Sequence, residues 1–207
     1  MKVLLINGSA HETGCTYTAL CEVAGALNAE GVETEIFQLG ASPIRGCIGC
    51  GACSGKQRCV FDDDIVGRLT DAVKHIDGLV IGSPVHYASA GGAITAALDR
   101  LFFSASSLLA YKPCACIVSA RRAGTTAALD QLIKYPTINR MPLVSSQYWP
   151  MVHGSTPDQV RQDREGMQIM RTLGKNMAWL LKCIEAGKQA GVCPPEREPV
   201  ERTNFIR

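Results

Sequence analysis

Lys2-Val-Leu-Leu-Ile-Asn-Gly-Ser-Ala-His-Glu-Thr-Gly-Cys-Thr16 is the stretch that decides the fold. Val3 to Ile6 is a short continuous apolar run, β-branched at both ends, which suits a strand covered on both faces. The chain then turns polar through Gly8, Ser9, Thr13 and Gly14. From Thr16 an apolar stripe at Leu20, Val23, Ala24 and Leu27 has helical spacing. Strand, hydroxyl-rich loop and helix together make a phosphate-binding geometry, with backbone N–H groups and the hydroxyls of Ser9 and Thr16 as donors. A Walker loop is excluded, because five residues instead of four separate Gly8 from Gly14 and Cys15 stands where a lysine is needed. The dinucleotide pattern G-x-G-x-x-G is absent too. A single phosphate held by hydroxyls and amides fits better than a polyphosphate; a polar turn that binds nothing is the other reading.

The rest of the chain repeats this alternation. Glu33 to Gln38 alternates like an edge strand. Asp62-Asp-Asp64 caps a helix bearing Ile65, Leu69, Ala72 and Val73. Gly78 to Ser83 is a buried strand ending at Pro84, and Gly91-Gly92 opens a helix with Ile94, Ala97, Leu98 and Leu101 on one face. Pro113 to Ser119 is a fourth strand, followed by a helix with Leu129, Leu132 and Ile133. Leu143 to Val152 reads as a fifth. Thr156-Pro-Asp-Gln159 is a capping box that starts a long helix to about Glu185, with Gly187 where a cap is expected. Five strands alternating with helices predict an α/β, doubly wound parallel sheet with helices on both faces. Its ligand should lie beyond the carboxyl ends of the strands, at the switch point between the first and third.

Three loops should meet there: Gly8–Thr16, Pro84–Gly92 and Ser119–Gly124. The second, Ser83-Pro-Val-His-Tyr87, combines the rigid Pro84 with Val85 and with His86 and Tyr87, which suit a flat ring. The third, Ser119-Ala-Arg-Arg-Ala-Gly124, puts Arg121 and Arg122 at the mouth of the switch point, where they would stabilise negative charge developing on a bound ligand; an ordinary solvated pair is the alternative. Fourth, Cys47-Ile-Gly-Cys50-Gly-Ala-Cys53-Ser-Gly-Lys-Gln-Arg-Cys59 spaces four thiols as C-x2-C-x2-C-x5-C. The first three spacings are those of bacterial ferredoxin loops, and the longer last arm would return Cys59 to the same 4Fe–4S cluster. Zinc fits less well, because the two C-x2-C units share Cys50. Reduced thiols or a disulfide remain open. Cys21, Cys114, Cys116 and Cys183 read as core filler.

With 207 residues there is room for one large core, and 46% hydrophobic against 19% charged residues describes an ordinary globule. A net charge of +2 without a basic run argues against nucleic acid. No apolar run approaches a membrane span, and no signal peptide is seen. Ten cysteines without an export signal then point to a reducing, cytoplasmic setting.

The first loop resembles that of the flavodoxin-like FMN reductase family, roughly N-G-S-x-R-x-x-G-N-T, with His11 for the usual Arg and Cys15 for the usual Asn. The segment Pro84 to Phe102 is similar to the family's P-x-Y-x-x-x-x-G…K-x-F-x-D-R-L block, without its lysine. The cysteine loop resembles that of iron–sulfur flavoproteins, which join FMN and a 4Fe–4S cluster on this fold. The resemblance implies a flavodoxin-like five-stranded sheet of order 2-1-3-4-5 over residues 1–187, with a cysteine-rich loop at 43–61; residues 188–207, proline-rich and without periodicity, read as an extended arm. It implies FMN held by Ser9, His11, Cys15, Thr16, Pro84, Val85, His86, Tyr87, Ser119, Arg121, Arg122 and Gly124, a cluster on Cys47, Cys50, Cys53 and Cys59, and NAD(P)H as co-substrate. The expected function is an FMN-dependent oxidoreductase with a small-molecule donor and acceptor, and no side chain is assigned as catalytic acid or base. The alternatives are an iron–sulfur electron carrier served by a ferredoxin-like protein, and a nonredox protein that kept the fold. The arm combines three prolines with a terminal Phe205-Ile206, so it is expected to pack across a neighbour in a homodimer or tetramer.

Overall fold

The computed structural model describes residues 1–205. Its centre is β1 (Lys2–Asn7), where Val3 to Ile6 are wholly buried because both faces are covered. Leu4 and Ile6 point into one core with Leu79, Ile81 and the apolar faces of α2 (Ile65–Ala72), α3 (Gly92–Ala105) and α4 (Thr125–Ile138). Val3 and Leu5 point into the other, against α1 (Cys15–Ala29) and α6 (Arg164–Gln189). The strand period of two therefore sorts a single apolar run between two helical layers.

Parallel strands run in the order β2 (Glu33–Gln38), β1, β3 (Gly78–His86), β5 (Cys114–Ala120), β6 (Met151–His153). β1 lies between β2 and β3, pairing Asn7 with Gln38 on one side and with Gly82 on the other. The chain reverses direction across the sheet at this point, so the crevice opens beyond Asn7 and Gly82.

The sheet has six strands rather than the expected five. Beyond Ser83, β3 continues through Pro84 to His86 and turns back as β4 (Ser89–Ala90), pairing Val85 with Ala90 and His86 with Ser89. Gln131 Oε1 accepts from Ala90 N, and Ser83 Oγ accepts from Gly91 N, both at 3.0 Å, so the hairpin's free donors are met. The strand expected over Leu143–Val152 touches the sheet only at its two ends. Leu143 makes an isolated bridge to Cys114, and β6 begins at Met151. Between them the polar Ser145 and Ser146 bond to α6 instead, through Asn176 and the carbonyl of Ile169.

One long helix from Thr156 was expected, but the structure has α5 (Pro157–Gln162) and then α6. Asp163 makes the break. One carboxylate oxygen caps α6 at Gly166 N (2.9 Å), and the other accepts from His153 N (2.7 Å) at the end of β6. Serving both requires Asp163 to leave helical geometry (ψ 79°). The final helix passes Gly187 and ends at Gln189, with Gly191 taking the left-handed turn (φ 82°). Residues 192–204 form neither helix nor strand, and Phe205 is 96% exposed. The arm meets its own chain where Tyr111 Oη donates to the carbonyl of Pro195 at 3.5 Å. Ile206, part of the expected apolar tip, lies outside the described residues.

Candidate functional site

The loop leaving β1 is shaped by a close approach and by one buried amide. A Cβ on Gly8 would sit 2.7 Å from both the carbonyl oxygen of Gly82 and Cβ of Ile94, so only glycine lets the chain pass. Asn7 is completely buried. Its Nδ2 donates to the carbonyls of His11 (3.4 Å) and Glu12 (3.3 Å) and to the side-chain oxygen of Gln38, while its Oδ1 accepts from Ser9 N (3.2 Å). Gln38 in turn donates to the Ser9 carbonyl at 2.7 Å. Sequence reading missed both amides. Its one usable signal was a polar residue closing an otherwise apolar buried strand.

Hydroxyls form the floor. Ser9 Oγ accepts from His11 N (3.1 Å), which leaves its own proton to donate. Thr16 Oγ1 and Ser119 Oγ, both buried, share one hydrogen bond of 2.8 Å, so the pair retains one proton for a ligand. This bond also ties the first loop to the third. A Cβ on Gly124 would fall 2.9 Å from the Tyr87 carbonyl and from Val85, which locks the third loop against the second. Gly124 itself has φ 89°, a conformation that other residues rarely adopt. The three loops thus meet at the switch point.

The helices opening here share a feature. α1, α3 and α4 begin at Gly14, Gly91 and Gly124, N-caps that place no side chain on a first-turn N–H. α2, α5 and α6 are capped by Asp64, Thr156 and Asp163. An uncapped first turn keeps its N–H groups available to an anion or carbonyl. The three α-helices without side-chain caps are thus the ones that open from the three loops meeting at the crevice.

The rim is exposed. His11, His86, Tyr87, Arg121 and Arg122 face solvent, while Cys15, Pro84, Val85 and Gly124 are half-buried. Tyr87 forms the tip of the β3–β4 hairpin with a left-handed backbone (φ 57°). Cys15 does not offer its thiol to the crevice. Its Sγ donates to the Gly154 carbonyl at 3.6 Å, and burial pushes the thiol's pKa up.

Cys47, Cys50, Cys53 and Cys59 line one cavity of ≈ 110 Å³, together with Ile48, Phe61, Arg100 and Phe103. All ten cysteines are free thiols. Left-handed turns at Gly49 (φ 66°) and Gly51 (φ 69°) bring the first three cysteines round to the same space. Cys53 Sγ donates to the Phe103 carbonyl at 3.8 Å, and Arg100 Nε donates to Cys59 Sγ at 3.3 Å. Among the described residues, no three His, Cys, Asp or Glu side chains stand close enough to hold a single metal ion. A cubane asks for something different, since each of its four irons takes one thiolate and the sulfurs stand apart around it. Of the remaining cysteines, Cys114 and Cys116 are buried in β5 as expected, whereas Cys21 is half-buried and Cys183 is exposed.

The profile of the NADPH-dependent FMN reductase family matches residues 1–156. An iron–sulfur flavoprotein of Methanocaldococcus jannaschii is 28% identical over 89% of this chain and 100% of its own length. One from Archaeoglobus fulgidus is 30% identical over 83% of this chain and 86% of its own. Among solved structures, a flavone reductase aligns with a TM-score of 0.68 at 17% identity, over 89% of this chain and 64% of that one. A flavodoxin from the domain Archaea aligns at 0.60 and 14% identity, over 88% and 99%. These structural likenesses are of fold.

Proposed function

The chain belongs to the NADPH-dependent FMN reductase family, in its iron–sulfur flavoprotein-like subgroup, and on that premise we propose that it is an FMN-dependent oxidoreductase. It would take electrons from NAD(P)H or a reduced carrier and pass them to a small acceptor. The observation that carries this reading is the group of three helix N-termini without side-chain caps around a floor of buried hydroxyls.

The residues present fit FMN. The first turn of α1, with Ser9 and Thr16, offers amide and hydroxyl donors to a single phosphate, and no lysine stands there to favour a longer one. His11 and Cys15 fill the family's Arg and Asn positions, but Cys15 is committed to Gly154, so amides and hydroxyls are left as the main donors. Pro84, Val85, His86 and Tyr87 would hold the ring on one side, and Ser119 to Gly124 on the other. Arg121 and Arg122 would supply positive charge beside it. When bound, FMN supplies the redox chemistry, so the chain's part is to bind, orient and set potential.

A second reading is favoured by the cysteine cavity. Four thiols with ferredoxin-like spacing around one mostly apolar space fit a 4Fe–4S group, with Cys47, Cys50, Cys53 and Cys59 as ligands. The protein would then relay single electrons between FMN and a ferredoxin-like partner, with or without turnover of its own substrate. An anaerobically purified sample tests both readings. Flavin absorbance with FMN released on denaturation is expected, along with iron and acid-labile sulfide. Steady NAD(P)H oxidation without a protein donor marks the enzyme, and its absence marks the carrier. A colourless protein that takes up no added FMN refutes the first reading.

A further inference from the structure

α3 carries one charged side chain into the core. Arg100 is 1% exposed, and arginine is almost never so buried unless paired. Its partners occupy most of its donors. Nη1 meets the Asp64 carboxylate and the Arg45 carbonyl (3.2 Å), Nη2 the Phe61 carbonyl (2.6 Å), and Nε the Cys59 sulfur (3.3 Å).

Two of these partners mark the ends of the cysteine loop. Arg45 precedes Cys47 and Phe61 follows Cys59, so a single guanidinium draws both ends together and aims its Nε–H at a sulfur. Cys59 ends the long five-residue arm, where spacing alone leaves most freedom. The other contacts are weaker in kind. Cys47 accepts from the neutral Gly49 N at 3.5 Å, and Cys53 meets a carbonyl. A cationic donor to a ligand sulfur favours the form with more negative charge, which is the reduced one.

We propose that Arg100 is the positioning residue of the cysteine site, holding Cys59 in place through Nε–H···S and raising the reduction potential of a 4Fe–4S group bound there. This rests on the reading that the four cysteines hold such a group, and the test separates the two.

Wild type, Arg100→Lys and the double variant Arg100→Met with Asp64→Asn are each reconstituted anaerobically with iron and sulfide. The lysine keeps a cation near Asp64 but has no Nε–H fork. The double variant removes both charges together, which buried pairs tolerate well, and asparagine still caps α2. Iron and sulfide per chain, FMN affinity and the one-electron potential followed by EPR are measured. We expect both variants to bind FMN as wild type does, and their reduction equilibrium to fall about tenfold, which is 59 mV for one electron. Loss of iron from both variants, with FMN affinity and thermal unfolding unchanged, equally supports the positioning of Cys59. Loaded variants with the wild-type potential overturn the role of Arg100 and leave the cluster standing. A wild type that takes up no iron and sulfide overturns both.

Discussion

Replacing Gly8 by alanine adds one methyl at the most confined point of the crevice. Its Cβ would stand 2.7 Å from the Gly82 carbonyl oxygen and 2.7 Å from Ile94 Cβ, where real contacts essentially never fall below 3.0 Å. Neither neighbour can yield cheaply. Gly82 is inside β3, bonded on both sides, and Ile94 is wholly buried on α3. Overpacking of this kind costs about 1–3 kcal/mol. The Gly8 N–H bond to Gly82 O, 2.9 Å long, shares the clash, and its loss adds about 1 kcal/mol. The expected destabilisation is thus about 2–4 kcal/mol. Any backbone shift that relieves it moves Ser9, so FMN affinity should fall by about tenfold or more for each phosphate donor displaced. Urea midpoints of the apoprotein, with m unchanged, give the first number. Quenching of FMN fluorescence gives the second. Gly25→Ala is the control. It lies in the interior of α1 with nothing within 4 Å of the new methyl, and should stabilise by about 0.5–1 kcal/mol without touching FMN. A Gly8→Ala protein as stable as wild type, with its FMN affinity intact, would refute the reasoning.

Ser9→Ala with Thr16→Ala should weaken FMN by about 1–3 kcal/mol per lost donor while sparing riboflavin; equal losses for both ligands in calorimetry would remove the phosphate from that loop. Arg121→Gln or Arg122→Gln should lower the two-electron flavin potential by about 10–20 mV, small because both side chains are exposed, and dye-equilibration titrations would read it. Asp64→Asn keeps the cap of α2 but strands the Arg100 cation, costing about 3 kcal/mol, the low end for a broken buried pair because two carbonyls remain on the guanidinium. Burial alone would raise the Asp64 carboxyl's pKa, but Arg100 and the amides of Val66 and Arg45 outweigh it and hold the group below its usual range. The stability it contributes is therefore present above the unfolded pKa of about 3.9 and lost as pH falls through the native value, so the variant's deficit in denaturant midpoint should shrink on acidification. Truncation after Ala190 should lower the mass of the expected homodimer or tetramer in light scattering; an unchanged mass together with unchanged FMN affinity would leave the arm a plain tail.

What could be read from the sequence was whatever depends on neighbours along the chain. Val3 to Ile6, the stripe from Leu20 to Leu27 and the crossover pattern place β1, α1 and the parallel order, because burial on both faces leaves an unbroken apolar run. The four cysteines line one space, although among the described residues no three of them stand close enough to hold a single metal ion. The β3–β4 hairpin was hidden because its two-residue tip, Tyr87-Ala88, contains none of the Asn-Gly chemistry by which such turns are recognised. The split at Asp163 depends on His153, ten residues away, competing for the same carboxylate. Asn7 and Arg100 were missed for a related reason: their roles come from partners on other elements, Gln38 for one and the two ends of the cysteine loop for the other.

That loop also carries an evolutionary consequence. Between Leu39 and Val66 the chain contributes no fully buried apolar residue, only Ile44 and Ile65 packing partly against the core, so the sheet and its helices draw little of their core from the segment. It can be gained, shortened or emptied of cysteines by descent without rebuilding the core. Arg100 is the exception, since shedding the loop would take away every partner it has except Asp64. Lineages that discard the cysteines should therefore either retain the Asp64–Arg100 pair as a relic or lose both charges at nearly the same time. The two positions would then record, in sequences alone, whether an ancestor once carried the loop.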